Sequence, residues 1–391
     1  MARNSTALKR PPVSGLPSVP ADDKFGEYTT GLLGVAVDFE RRRGRGATTN
    51  ATGRYEPLAR IAFDDGWRSL DELPPFKTTV TVDATRKIIT RNDSPDIGSD
   101  RSINPYRGCE HGCIYCFVLP THAYLGMSPG LDFESKLFVK PDAAELLEKE
   151  LSATNYEPKV IAIGTNTDPY QPIERRYQVM RRILEVLDAA GHPVGIVTKS
   201  ALVLRDLDIL ARMAERGLAK VALSVTTLDA ELARKMEPRA ATPMRRLETL
   251  RRLSQAGVPT TVMVAPIIPA LNDAEIERIL DAAAVAGVKE AGYVLLRLPL
   301  EVRDLFREWL ETNYPDRASH VFKLIRDTRG GKDYDSAWGK RMKGGGPYAW
   351  MIGRRFQMAC EKLGLNERKY SLTTEHFRRP KVGSEQLNLF A

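Results

Sequence analysis

The sequence predicts an α/β protein built on a partial (β/α)6 barrel, with extensions at both ends. Three observations carry that expectation. Between residues 101 and 300, short β-branched runs alternate with amphipathic helical stretches. Each strand-plus-helix unit takes roughly 25–40 residues, the length of a right-handed crossover between parallel strands. Six such units fall short of the closed eight-stranded form. An open, doubly wound sheet fits the same spacing and remains an alternative.

The elements follow in order. Residues 1–52 are rich in Pro, Ser, Thr, Gly and Arg, with little periodicity, and read as a largely disordered basic arm; residues 1–25 carry that expectation most strongly. Within it, residues 41–46 (Arg-Arg-Arg-Gly-Arg-Gly) are a candidate phosphate contact, or a flexible solvated run. Residues 53–100 form an N-terminal extension. Its β-branched runs at 78–82 and 87–91 predict a hairpin leading into the next loop. The segment entering Asn104 supplies the first barrel strand. Residues 160–164, 194–198, 221–226, 260–265 and 293–298 supply the other five. The intervening helices are expected at 142–154, 175–190, 204–216, 229–236, 243–256 and 273–286. The barrel core is thus 101–300, followed by a C-terminal extension, 301–391.

No apolar run is long enough to span a membrane, which excludes a helical membrane protein class. The N-terminus lacks the apolar stretch of a secretory signal, and four cysteines in 391 residues are too few for a disulfide scaffold. Both point to a reducing cytoplasm. The net charge of +8 is one-sided: residues 301–391 hold 18 Lys and Arg against 12 Asp and Glu. A basic extension suits a polyanionic partner, nucleic acid first, or simply a solvated surface.

Residues 104–117 read Asn-Pro-Tyr-Arg-Gly-Cys-Glu-His-Gly-Cys-Ile-Tyr-Cys-Phe. Cys109, Cys113 and Cys116 are spaced C-x3-C-x2-C, with Gly108 and Gly112 allowing tight turns between them. Three thiolates on one loop can hold three irons of a cubane and leave the fourth iron open. With His111, His122 or Cys360 as a fourth ligand, the same thiols would make a zinc site. An odd triplet does not pair completely into disulfides.

This loop, with Tyr115 before its last cysteine, resembles the radical S-adenosylmethionine (SAM) superfamily. Asn-Pro-Tyr-x-Gly-Cys and Tyr-Cys resemble the spore photoproduct lyase, or "DNA repair photolyase", branch. The resemblance implies a TIM-like partial barrel, a [4Fe–4S] cluster on Cys109, Cys113 and Cys116, and SAM on the fourth iron. It also implies a radical enzyme, whether a lyase or another type, that cleaves SAM reductively to a 5′-deoxyadenosyl radical. An external reductant of flavodoxin or ferredoxin type would then be needed. The lyase returns hydrogen through a barrel cysteine, and this chain has none between Cys116 and Cys360.

The C-terminal strand ends are where such sheets place chemistry. After strand two, Asn166 and Asp168 offer acceptors for the methionyl ammonium, in a segment lacking the superfamily's commoner Gly-Gly-Glu; Asp168 before Pro169 also suits a helix start. Lys199, after strand three, would meet the SAM carboxylate, or be a barrel-rim lysine. Ser224, ending strand four, and Glu237, for the ribose hydroxyls, complete the set implied by the resemblance. Arg234 or Arg239 would serve the carboxylate. Pro266 and Arg297 end strands five and six, beside the adenine.

Beyond residue 300, stretches 302–312 and 348–363 look helical. Residues 340–348 (Lys-Arg-Met-Lys-Gly-Gly-Gly-Pro-Tyr) suit a phosphate-tracking loop or a lid. Cys360 sits at core spacing with Phe356 and Leu363, or is a hydrogen-atom donor. Gln386 to Phe390 (Gln-Leu-Asn-Leu-Phe) resembles the peptide with which bacterial repair proteins dock on the DNA sliding clamp; packing back on the chain is the alternative. Two other function classes stay open: a radical SAM enzyme acting on protein or a metabolite, and a non-catalytic iron–sulfur or zinc module on nucleic acid.

Overall fold

In the computed structural model, residues 37–56 and 75–381 are described. The expectations for residues 1–25 and for Gln386 to Phe390 lie outside them. Ten strands occur among the described residues: β1 (Thr79–Val82), β2 (Ile89–Arg91), β3 (Arg101–Ile103), β4 (Tyr106–Arg107), β5 (Lys136–Val139), β6 (Ile161–Ile163), β7 (Val194–Thr198), β8 (Ala219–Ser224), β9 (Thr260–Ile267) and β10 (Glu290–Leu295). One sheet runs β10-β9-β8-β7-β6-β3-β2. Its six strands from β3 to β10 are parallel, and β2 adds an antiparallel edge on β3. This is the partial (β/α)6 barrel.

The strands and helices form where their patterns demand. In β7, Val194, Ile196 and Thr198 are buried while Gly195 and Val197 are half-buried, the period-two alternation of a strand between two layers. Helix Val179–Ala189 buries Val179, Met180, Ile183, Leu184 and Leu187, a stripe at helical spacing facing the sheet. Asp229 caps helix Ala230–Met236 by accepting from the Glu231 and Leu232 N–H groups at 2.8 and 3.2 Å. Thr242 caps helix Pro243–Gln255, whose Pro243 suits the first turn.

The expected hairpin at 78–91 does not form. β1 pairs in parallel with β5 in a separate three-stranded sheet, β1-β5-β4, while β2 pairs with β3. Strand composition marks both runs correctly but does not encode the partner. The basic arm is also corrected in part. Residues 45–49 are buried; Arg45 donates to the Glu134 carbonyl at 2.5 Å and to Phe76 O at 3.1 Å, so it anchors the chain instead of facing phosphate.

The C-terminal extension covers the barrel's open edge. Helix Gly346–Lys362 lays Phe356 on Tyr293 of β10, ring centroids 4.7 Å apart. Asn366 satisfies the β10 edge, accepting from Ala291 N–H at 2.8 Å and donating to its carbonyl at 3.0 Å. Leu295 N–H of β10 donates to Met342 O at 2.8 Å. Arg341 meets Asp96 at 2.5 Å and also Ser94, in the loop joining β2 to β3. Residues 339–343 therefore span the gap between the two edge strands. The final stretch crosses under the barrel: Thr373, Arg378 and Arg379 donate to carbonyls at Gly217, Ala190 and Thr154.

Candidate active site

The cysteine loop leaves β4 at the C-terminal strand ends and is held on every side by backbone contacts. Cys109 N–H donates to Phe133 O, and Ile114 N–H to Met236 O, both at 3.0 Å. Gln171 clamps the turn, donating to Gly108 O at 3.1 Å and accepting from Glu110 N–H at 3.0 Å. Gly112 has φ +65 and lies against Gly46; a Cβ on Gly46 would stand 1.9 Å from Gly112 O, so only glycine permits that approach. The Gly46 and Ala47 N–H groups donate to Glu134 at 2.9 and 2.8 Å, locking the arm under the loop.

Cys109, Cys113 and Cys116 are unpaired thiols, and all three line one cavity of about 1390 Å³. Burial raises the Cys113 thiol well above its ordinary value and pushes Cys116 up to about 11. Iron binding there must displace protons, so loading is expected to release them. Asn166, Asp168, Lys199, Ser224, Pro266 and Arg297 line the same cavity. The strand ends thus bring together most of the candidate residues.

Their roles separate on contact. Lys199 holds its ammonium 5.7 Å over the Tyr115 ring, with no carboxylate partner among the described residues. It is poised for an anion. Asn166 is exposed to the cavity, its N–H held by Asn104 Oδ1 at 3.2 Å. Ser224 is buried at the wall. Asp168, by contrast, is saturated: Tyr170 N–H and the Thr198 hydroxyl donate to Oδ1 at 2.9 and 2.7 Å, Lys199 N–H to Oδ2 at 2.7 Å, and His111 Nδ1 lies 3.4 Å away. Burial would raise its carboxyl, but the His111 imidazole and these donors outweigh it and hold it at about 2. Asp168 organises the rim by joining the β6 and β7 ends to the cysteine loop, and no α-helix starts on it.

Glu237, expected at the ribose hydroxyls, is instead turned inward. It is 2% exposed and does not reach the cavity surface. Its Oε1 lies 2.7 Å from Arg246 Nη2, out of line for a good hydrogen bond, and its Oε2 accepts from the Tyr115 hydroxyl. Arg246 also donates to Ser224 O at 3.1 Å. Tyr115 keeps its ring toward the cavity while its hydroxyl is tied down behind the loop. Arg239 is likewise committed, to Glu110 at 2.9 Å. Sequence reading missed Arg246, whose neighbours in Arg-Arg-Leu look like a solvated helix face. It also missed Asn366 and the anchoring of Arg341. Arg297 lies 4.4 Å over the Phe117 ring at the mouth. Cys360 is buried as expected, and it also forms part of the cavity wall.

Among the described residues, no three His, Cys, Asp or Glu side chains gather closely enough to surround one metal ion. His122 Nε2 is committed to Lys136 O at 2.9 Å, and Cys360 is held on the C-terminal helix. His111, the third candidate, lies beside Cys109 with its Nδ1 3.4 Å from Asp168, and among the described residues no closely grouped zinc ligand set forms. Three thiols on one loop, two of them at the ends of a single turn closed by Cys116 N–H on Cys113 O at 3.0 Å, beside an open cavity, match a cubane held at three corners.

Comparison with known proteins decides the family. The sequence pattern of the Radical SAM superfamily matches residues 103–283. An uncharacterized protein of Mycobacterium tuberculosis is 39% identical over 227 residues, 58% of this chain and 67% of that one.

The chain belongs to the radical SAM superfamily.

An uncharacterized protein of Methanocaldococcus jannaschii is 28% identical over 222 residues, 56% of this chain and 78% of its own length. Among solved structures, a spore photoproduct lyase variant superposes with a TM-score of 0.53 at 20% identity, covering 73% of this chain and 80% of that one. A second variant of that lyase, with bound AdoMet and dinucleoside spore photoproduct, gives 0.53 at 19%, with the same coverage. At this identity the likeness is one of fold. This radical SAM protein is an enzyme, and its superfamily uses SAM with a [4Fe–4S] cluster. No helix of the described residues is long and apolar enough to cross a membrane.

Proposed function

We propose that this enzyme binds a [4Fe–4S] cluster through Cys109, Cys113 and Cys116, and SAM beside it, to act on nucleic acid. One observation carries the proposal: three free thiols from one loop share a single cavity with the unpaired Lys199 ammonium, Asn166 and Ser224. When bound, the cluster and SAM would supply reductive radical chemistry directed at a substrate C–H bond. The chain's own residues do the positioning. Lys199 pairs with a carboxylate, Asn166 accepts from an ammonium, and the Tyr115 ring packs at the cavity wall, fixed by Glu237. The strap at 339–343 closes the side of the cavity and limits access of water. Cys360, whose thiol burial pushes up to about 11, stays protonated at neutral pH and is the hydrogen-bearing thiol at the wall outside the loop.

The nucleic-acid part is supported by the basic C-terminal extension and by the fold shared with spore photoproduct lyase. Gln386 to Phe390 would bring the enzyme to the sliding clamp, and a flavodoxin- or ferredoxin-like protein in a reducing cytoplasm would supply the electron. The test has two parts. Anaerobic reconstitution should load about four irons per chain, and each single Cys→Ser change in the loop should abolish loading. DNA binding should fall steeply between about 50 and 200 mM salt. A protein that binds neither DNA nor RNA at low salt would remove the substrate assignment while leaving the cluster assignment intact.

A further inference from the structure

Resting on the nucleic-acid function proposed above, we propose that the groove between Trp350 and Lys343 is a separate binding site for single-stranded DNA. One base would stack on Trp350, with the adjoining phosphates on Arg354 and Lys343. The groove has a volume of about 430 Å³ and shares Tyr293, Lys343, Gly353 and Gln357 with the reactive cavity, so it leads directly into the mouth. Trp350 is 72% exposed, on a helix that buries Ile352 and Phe356 on its other side and leaves Met358 exposed further along. Arg354 lies one turn further on, so ring and guanidinium share one face. Arg354 and Lys343 have no carboxylate partner among the described residues. The adjacent Arg355, in contrast, is paired with Glu277 at 2.7 Å. Lys343 Nζ sits 5.7 Å over the Tyr293 ring at the shared edge of the groove, and two cations without a carboxylate partner beside a solvent-facing indole match the chemistry of a stacked, unpaired base with its phosphates.

Gly344, Gly345, Gly346 and Gly353 keep the floor free of side chains. At Gly353 a Cβ would stand 2.9 Å from the Tyr293 hydroxyl, so the groove stays open there only without a side chain. A duplex keeps its bases stacked on one another and offers no free face to Trp350. An extended strand offers such a face and can pass a neighbouring nucleotide into the cavity.

The test uses the reconstituted full-length enzyme and a fluorescent 12-nucleotide oligo-dT at low salt, read by anisotropy. Trp350→Ala should weaken binding about tenfold, and Trp350→Phe should recover most of it. Arg354→Gln and Lys343→Gln should each make the salt slope shallower by about 0.7. Melting curves check that each variant folds; truncating an exposed side chain should leave them unchanged. Wild-type affinity in Trp350→Ala and in the Arg354→Gln, Lys343→Gln pair would overturn the groove assignment. So would equal or tighter binding of the matching duplex, of oligo-rU, or of an acidic peptide. In those cases the enzyme's DNA binding would persist through other residues, and the function proposed above would stand. No binding of any nucleic acid would overturn both.

Discussion

Replacing Glu237 by Ala should destabilise the protein strongly, although the side chain is buried just behind the cavity wall, its Oε2 4.0 Å from Cys113 Sγ. The side chains of Glu237 and Arg246 are each buried and face one another at 2.7 Å. Their pairing is worth little as a net gain over apolar residues, because both charges lose their hydration. Removing one partner is different, because it strands the other charge in the interior, at a cost of about 3–5 kcal/mol. The same change takes away the acceptor of the buried Tyr115 hydroxyl. Against a total stability of about 5–15 kcal/mol this is a large fraction. With a urea slope near 3 kcal/mol/M, the unfolding midpoint of the metal-free protein should fall by at least about 1 M. Glu237→Leu combined with Arg246→Met removes both charges and should recover most of the loss. Iron loading should not recover with it, since Tyr115 remains unanchored beside Cys113 and Cys116. The reasoning is refuted if Glu237→Ala costs less than about 1 kcal/mol, or if the double variant is no more stable than the single one.

Lys199→Met should weaken SAM binding about tenfold, measured by calorimetry on the reconstituted enzyme, because the cation over the Tyr115 ring, without a carboxylate partner among the described residues, is removed; unchanged affinity would exclude Lys199 from the SAM site. Arg341→Ala should free the strap at 339–343 and speed its amide exchange about tenfold, while exchange in β7 stays unchanged. His192 is fully buried, and burial lowers its pKa to about 4. The unfolded chain, with its ordinary value near 6.5, takes up the proton first, so stability falls as pH drops through that window. At pH 5 the loss should be about 2 kcal/mol relative to pH 7, and His192→Gln should remove that part of the slope. Cys360→Ala should lower solvent deuterium incorporation into product without lowering SAM cleavage, if its thiol returns hydrogen; unchanged incorporation would assign it to packing alone.

Much of the barrel was legible because period and composition act locally. The run Val-Gly-Ile-Val-Thr alternates as a half-covered strand must, and its range is the same in the sequence and in the fold. The cysteine loop was legible because three ligand-bearing residues lie within eight positions. What sequence did not show is pairing at long range. Thr79–Val82 and Ile89–Arg91 look like two arms of a hairpin, yet each finds another partner, because β-branched content does not specify a neighbour. Arg45 and Arg341 lie in basic runs that read as phosphate contacts, a flexible arm or a lid, and Arg246 does not stand out from its helix. Each is held by a carbonyl or a carboxylate distant in sequence. Helix Pro315–Asp327 was missed because Pro315 reads as a break, although it occupies the helix's first turn. Asp168 follows β6 and Glu237 ends the helix Ala230–Met236, but their carboxylates are consumed by internal donors that no local pattern reveals.

The central claim is that this cavity cleaves SAM on a cluster held by Cys109, Cys113 and Cys116. The most direct measurement is 5′-deoxyadenosine formation by the anaerobically reconstituted, dithionite-reduced enzyme, in parallel with its Cys113→Ser variant. The account predicts SAM-dependent product from the wild type, with about four irons per chain, and none from the variant. A wild-type protein that loads only zinc, or that loads iron and forms no 5′-deoxyadenosine, would contradict it.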